Sequence, residues 1–289
     1  MDQAEQLRII KANRQSRPLA RVITVTSGKG GVGKSNTAIN LAIWFRKLGQ
    51  RVIILDADFG LANIEIMFGA VPKHNLFDLI YQGKNIREII TWGPMEVGFI
   101  SGGSGIAGMS NLSRDYLDCI IQNLTELDAI ADIIVVDTGA GISDAVLEFL
   151  VASGEILLVT TPEPTSITDS YSLLKALYRH PRFKESDTKV KMLANRVGKE
   201  AEGQILFNKL NAVVAKYLKI PMTYMGCIPQ DPLLAQAVMQ QTPISLQNPG
   251  AKSAQAYERI ARRLLNKEEE QRQPKRGMAA FFSHIISRN

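Results

Sequence analysis

Cysteine is almost missing from this chain: there are two in 289 residues, Cys119 and Cys227, each alone in an apolar stretch. Neither has a second thiol or a histidine cluster at metal-ligand spacing, which excludes a disulfide framework and a cysteine-held metal. Both are expected to be buried thiols in a reducing cytosol. Long apolar runs are missing too. None reaches the roughly 18 to 20 residues that cross a bilayer, and the polar, charged residues 1–17 lack the apolar core of a secretory signal. Charge of one sign is also lacking: 34 Lys and Arg are interleaved with 28 Asp and Glu, for a net charge of +6 and a pI near 9.3. So mild and dispersed an excess suits anionic lipid or an acidic protein surface as well as nucleic acid. No internal repeat is visible. The expectation is a cytoplasmic protein that is soluble or, at most, held at a membrane surface.

What is present is enough apolar material, 45% of residues, for one substantial core. Residues 21–26, R-V-I-T-V-T, are rich in β-branched side chains, as in a strand buried on both faces. Similar runs recur at 51–56, 97–101, 133–137, 156–160, 190–195 and 222–228. Helical patterns lie at 35–48, 113–127, 167–178, 202–217, 232–240 and 251–265. This alternation predicts an α/β domain over 19–266: a mostly parallel sheet with helices on both faces and ligands at the carboxyl ends of its strands. A flexible or weakly helical arm, 1–18, precedes it. A solvated linker, 267–276, with Glu268, Glu269 and Glu270, follows. The last stretch, 277–289, turns apolar again, with Met278, Phe281, Phe282, Ile285 and Ile286 at helical spacing. Such a helix either lies in a bilayer interface or packs as a core or dimer helix. The linker, with Lys275 and Arg276, favours the membrane.

The main chemical signal follows the first strand, where residues 27–36 read S-G-K-G-G-V-G-K-S-N. Gly28, Gly30, Gly31 and Gly33, with Val32 among them, let the backbone turn tightly, so that N–H groups and a helix N-terminus converge on phosphate oxygens. Lys34 is placed to reach the β and γ phosphates, and the Ser35 hydroxyl to ligate Mg²⁺. Strand, loop and helix signals agree, which separates this run from an ordinary turn. Two aspartates end strands nearby, Asp56 and Asp137. One such residue is usually a turn or a helix cap; two beside a phosphate loop point to a cation.

The second lysine, Lys29, sharpens the reading, because K-G-G-V-G-K-S resembles the deviant Walker A box of the MinD/ParA superfamily of P-loop NTPases (SIMIBI class). The resemblance implies an ATP-bound homodimer in which Lys29 reaches the partner's phosphates, in the manner of an arginine finger. It further implies that Asp58, in the switch I run, positions the attacking water, that Asp56 supports Mg²⁺ and that Asp137 is the Walker B residue. Asn195 and Arg196, with Pro229 and Asp231, would flank the adenine, and Asn36 closes the loop motif. No Asn-Lys-x-Asp guanine box occurs, so ATP is preferred to GTP. The implied activity is slow, switch-type hydrolysis of ATP to ADP and phosphate.

Longer stretches, D-A-D-F-G-L-A-N-I-E (56–65), D-T-G-A-G-I (137–142), S-D-A-V-L-E-F (143–149) and T-T-P-E-P-T-S-I-T-D (160–169), resemble the FlhG (YlxH/FleN) group, MinD-like ATPases that set flagellar number and placement. MinD proper would more often show Thr-Thr after the Walker lysine, where this chain has Ser35 and Asn36. Residues 2–8, D-Q-A-E-Q-L-R, resemble the group's activation element for the GTPase FlhF, with Gln3 entering the partner's active site and Leu7 as an apolar anchor. The same resemblance assigns Phe281, Phe282, Ile285 and Ile286 to lipid at the inner face of the cell membrane. Flagellar C-ring proteins and a transcription regulator are further expected partners. A division-site MinD regulator and a ParA-type DNA-segregation ATPase are the alternatives, the dispersed charge giving DNA little support.

Overall fold

The computed structural model describes residues 19–58, 63–102, 124–266 and 277–286. Gln3, Leu7, Cys119 and the linker 267–276 lie outside them. Eight strands form one sheet in the order β3-β4-β2-β5-β1-β6-β7-β8. They are β1 Arg21–Thr26, β2 Val52–Ala57, β3 Thr91–Trp92, β4 Gly98–Ser101, β5 Ile133–Thr138, β6 Glu155–Thr160, β7 Lys189–Val197 and β8 Met222–Pro229. All pairings are parallel except β3 with β4. The seven parallel strands are those the apolar runs predict. β3 is two residues long and has no period to read.

The helices are α1 Lys34–Lys47, α2 Asn63–Phe68, α3 Leu76–Tyr81, α4 Ile86–Ile89, α5 Leu127–Ile130, α6 Asp144–Ala152, α7 Pro164–Arg179, α8 Glu200–Tyr217, α9 Pro232–Met239, α10 Ile244–Gln247, α11 Lys252–Leu264 and α12 Met278–Ile286. Side chains alternate across a strand, so each strand feeds two cores. Ile23 and Val25 of β1 meet Phe45 of α1 and Tyr257 of α11 on one face. Val22 joins Phe149 of α6 on the other. Beside that second core, Leu173 of α7 and Leu206 of α8 cover Met192 of β7. Both faces are therefore closed, as a parallel sheet requires. Cys227 is buried, as expected, and its thiol donates to Glu200 Oε2 at 2.9 Å.

Of the places that the apolar stripe leaves open to the C-terminal helix, the structure shows the packed one: in α12, Met278, Phe281, Phe282 and Ile285 are buried among Ala20, Leu124, Leu127 and Phe149. The Phe281 ring lies 5.9 Å from that of Phe149. Arg182, past the end of α7, donates to the His284 carbonyl while ion-pairing with Glu148 of α6. Periodicity establishes an apolar stripe but not which apolar surface it meets, and the groove along α6 is the surface in reach. No helix among the described residues is long and apolar enough to cross a membrane.

Candidate nucleotide site

Three neighbouring strands end together. Parallel register sets Asp137 of β5 beside Val25 of β1 and Asp56 of β2. The loop leaving β1 and both aspartates thus share the carboxyl edge of the sheet, where open α/β folds bind ligands. Gly31 and Gly33 take φ values of 73° and 95°, in the left-handed region that glycine enters at little cost. Gly28 is needed for a different reason. A Cβ there would lie 2.2 Å from the Asp169 backbone of α7, so the loop begins pressed against that helix.

The loop is braced from outside. Asn195 Nδ2 donates to the Val32 carbonyl at 2.7 Å, and Arg196 Nη2 to the Gly31 carbonyl at 2.8 Å. The pair expected at the base therefore holds the phosphate loop in shape. Asn36 accepts from Asn40 Nδ2 at 2.6 Å, and Asn40 Oδ1 accepts the Ser245 N–H at 3.0 Å, tying α1 to α10. Pro229 ends β8. The Asp231 carboxylate accepts the Leu233 N–H, capping α9, and both the N–H and hydroxyl of Ser253. Both of its oxygens are thus engaged within the fold.

Lys34 is buried at the head of α1, and Asp137 is fully buried with neither oxygen in a hydrogen bond of full geometry. Burial holds the Asp137 carboxyl up at about 7 against the nearby Ser35 hydroxyl and Lys34 ammonium. Burial, with the charges of Asp137 and Asp58 added, raises Asp56 to about 8. Buried, unpartnered carboxylate oxygens are costly unless a cation compensates them. Mg²⁺ suits the set, because it commonly takes one or two carboxylates and fills its remaining positions with phosphate and water. Accordingly, no group of three or more ligands forms a closed metal cage among the described residues. Asp56 Oδ1 also accepts the Asp58 N–H at 3.1 Å. Asp58 Oδ1 in turn faces Gly139, 3.6 Å from where a Cβ would stand there.

These raised values set a pH dependence for the protein free of metal and nucleotide. Both groups bind protons more tightly folded than unfolded, so their contribution is fully present below the ordinary Asp value and is lost as pH rises to about 8. The thermal midpoint is expected to fall between about pH 5 and about pH 8, and Asp56→Asn with Asp137→Asn to flatten that slope. A differential scanning fluorimetry profile of the double variant that is as steep as wild type would contradict the assignment.

Lys29 stands outside this cradle. Its Nζ donates to Glu163 Oε2 at 2.6 Å and Thr165 Oγ1 at 2.8 Å, at the head of α7, with 34% of its side chain exposed. The ammonium holds the Glu163 carboxyl below its usual range. Glu163 and Thr165 are neighbours of Lys29 that spacing cannot reveal, lying more than 130 residues from it. Their stretch, 160–169, is conspicuous in the sequence only by resemblance.

A glycine loop braced at its carbonyls, a buried lysine and two cation-seeking aspartates at adjacent strand ends define a P-loop NTPase. Residues 18–265 match the ParA family, described as NUBPL iron-transfer P-loop NTPase, and the chain belongs to that family. Among its relatives is the antiactivator FleN of Pseudomonas aeruginosa, 39% identical over 244 residues, which are 84% of this chain and 86% of that protein. The flagellum site-determining protein YlxH of Helicobacter pylori is 33% identical over 92% of this chain and 90% of its own. The septum site-determining protein MinD of Pyrococcus horikoshii, solved with Mg-ADP, shares the fold with a TM-score of 0.67 at 20% identity, over 89% of this chain and 100% of that one. The FlhG resemblance drawn from the motifs thus stands, and family membership supports an ATPase activity.

Proposed function

We propose that this protein is a slow, dimerising ATPase switch that regulates flagellar number and placement, addressing lipid through α12 and the GTPase FlhF through its N-terminal arm. The observation that carries the reading is Lys29. It lies outside its own phosphate cradle, half held by Glu163 and Thr165, where an approaching protomer can receive it. In the proposed cycle Lys34 and the loop amides hold the phosphates, and Asp58 accepts a hydrogen bond from the attacking water. Ser35 and Asp137, with Asp56, would hold Mg²⁺, which would supply charge neutralisation to the bound phosphates. Lys29 adds charge from the partner. Hydrolysis removes what ordered the two switch segments, and the protomers part.

The docked α12 gives the switch something to release. Helix α7 joins the Lys29 clamp at its head to Arg182 just past its end, about 24 Å along the axis for 16 residues. Movement of Glu163 and Thr165 as Lys29 leaves can therefore reach the carbonyl end of α12 through one rigid element. A nine-residue helix has a small apolar face, so stable attachment to lipid calls for two copies from one dimer. The name of the FleN relative suits a transcription regulator among the partners, and that of YlxH suits placement. The MinD of Helicobacter pylori, at 29% identity, is a more distant match than either.

Two assays on the full chain test the reading. Anionic vesicles should sediment the protein with ATP and Mg²⁺ but not with ADP, and deleting residues 277–289 should abolish this. The protein should also stimulate GTP hydrolysis by FlhF, and Gln3→Ala should remove the stimulation. Sedimentation that ignores nucleotide would refute the lipid arm of the proposal, and stimulation untouched by Gln3→Ala would refute the FlhF arm.

A further inference from the structure

Asp128, in α5, serves both ends of the folded domain with one oxygen. Its Oδ1 accepts the Ala20 N–H at 3.2 Å and the Met278 N–H at 3.1 Å. Ala20 immediately precedes β1 and roots the N-terminal arm; Met278 is the first residue of α12. Oδ2 is buried and unpartnered, and a Cβ on Gly277 would stand 2.4 Å from it. Only glycine lets the chain approach the carboxylate so closely. Ala20 also shares one apolar cluster with Met278, Phe281, Phe282 and Ile285.

We propose that Asp128 is a joint coupling the root of the N-terminal arm to the docking of α12, so that a protein seizing the arm loosens the helix and a membrane taking the helix loosens the arm. The sign follows from the chemistry. Ala20 and the start of α12 close over the same carboxylate, so each shields from water the hydrogen bond that the other makes, and loosening either one opens the remaining bond to competition from water. Losing α12 also uncovers the apolar cluster on which Ala20 rests. Linkage makes the effect reciprocal, since one coupling free energy is read from both ends. The biological meaning rests on the proposed roles of arm and helix. The coupling itself is a property of this chain and can be measured without FlhF or lipid.

Amide hydrogen exchange on the full-length protein tests it. Gly277→Ala presses a Cβ on the Asp128 carboxylate from the tail side and is expected to speed exchange across 278–286. It is also expected to speed exchange at the Ala20 amide, by roughly 5- to 150-fold, the usual range of such couplings. A chain lacking residues 277–289 should show the same gain at Ala20, and Asp128→Ala should deprotect both ends. Deprotection confined to 278–286 in Gly277→Ala, or an Ala20 amide unchanged by the deletion, overturns the proposal. Should Asp128→Ala fail to fold, the other two variants still decide it. A coupled joint in a protein that does not stimulate FlhF would refute the flagellar reading and leave this one intact.

Discussion

Replacing Lys29 with alanine is expected to lower steady-state ATP hydrolysis by roughly 10³-fold or more, while nucleotide affinity changes only a few-fold. The magnitude is that of an arginine finger supplied in trans. The separation of the two effects comes from geometry. Lys34 is the buried lysine at the loop, and Lys29 is spent on Glu163 and Thr165 at the head of α7. Removing Lys29 therefore leaves the cradle, with its braces Asn195 and Arg196, in place. Phosphate release measured over a range of protein concentrations adds a second constraint, because specific activity should rise with concentration if the lysine acts from a partner. Glu163→Gln weakens the clamp without removing the hydrogen bond that Lys29 donates to Thr165, and should raise activity modestly at low concentration, as for any exposed ion pair. A Lys29→Ala protein that no longer binds ATP, or specific activity flat with concentration, would place the residue in its own protomer's cradle instead.

The second large effect is expected at Phe149. Its ring is 1% exposed and packs on Phe281 of α12 and on the domain core. Truncation to alanine costs about 3–5 kcal/mol at such a site. If half of that falls on the contact with α12, docking weakens by roughly 10- to 60-fold, at about 1.4 kcal/mol per decade. The lipid-seeking residues of α12 stay intact in this variant, which distinguishes it from changes at Phe281 or Phe282. Phe149→Ala should then sediment with anionic vesicles at a lower ATP concentration than wild type, because each dimer no longer has to pull two docked helices free. An unchanged ATP requirement would show that docking against α6 is not what withholds the helix.

The parts of this fold that could be read beforehand share a physical property. Strands buried on both faces need apolar side chains at nearly every position, as the fully buried β1, β2, β5 and β6 show, and the apolar runs match the extents of all seven parallel strands within two residues at either end. Long helices were legible from their stripe. The short α3 and α4 were not, although each opens on an asparagine capping box, Asn75 with Asp78 and Asn85 with Glu88. Six- and four-residue helices carry too few apolar positions to show a period.

The sequence by itself determined the phosphate site. A tight glycine loop, a lysine and a hydroxyl at a helix head, and aspartates closing apolar strands act through backbone geometry within a few residues of themselves. Their chemistry is written locally. Tertiary structure decided everything that depends on a distant partner: Lys29 on Glu163, Asn195 on the Val32 carbonyl, Asp128 between Ala20 and Met278, and α12 against Phe149 instead of solvent. An amphipathic stripe or a lone charge specifies what kind of surface it needs. Which surface it finds depends on how far the rest of the chain has brought that surface within reach.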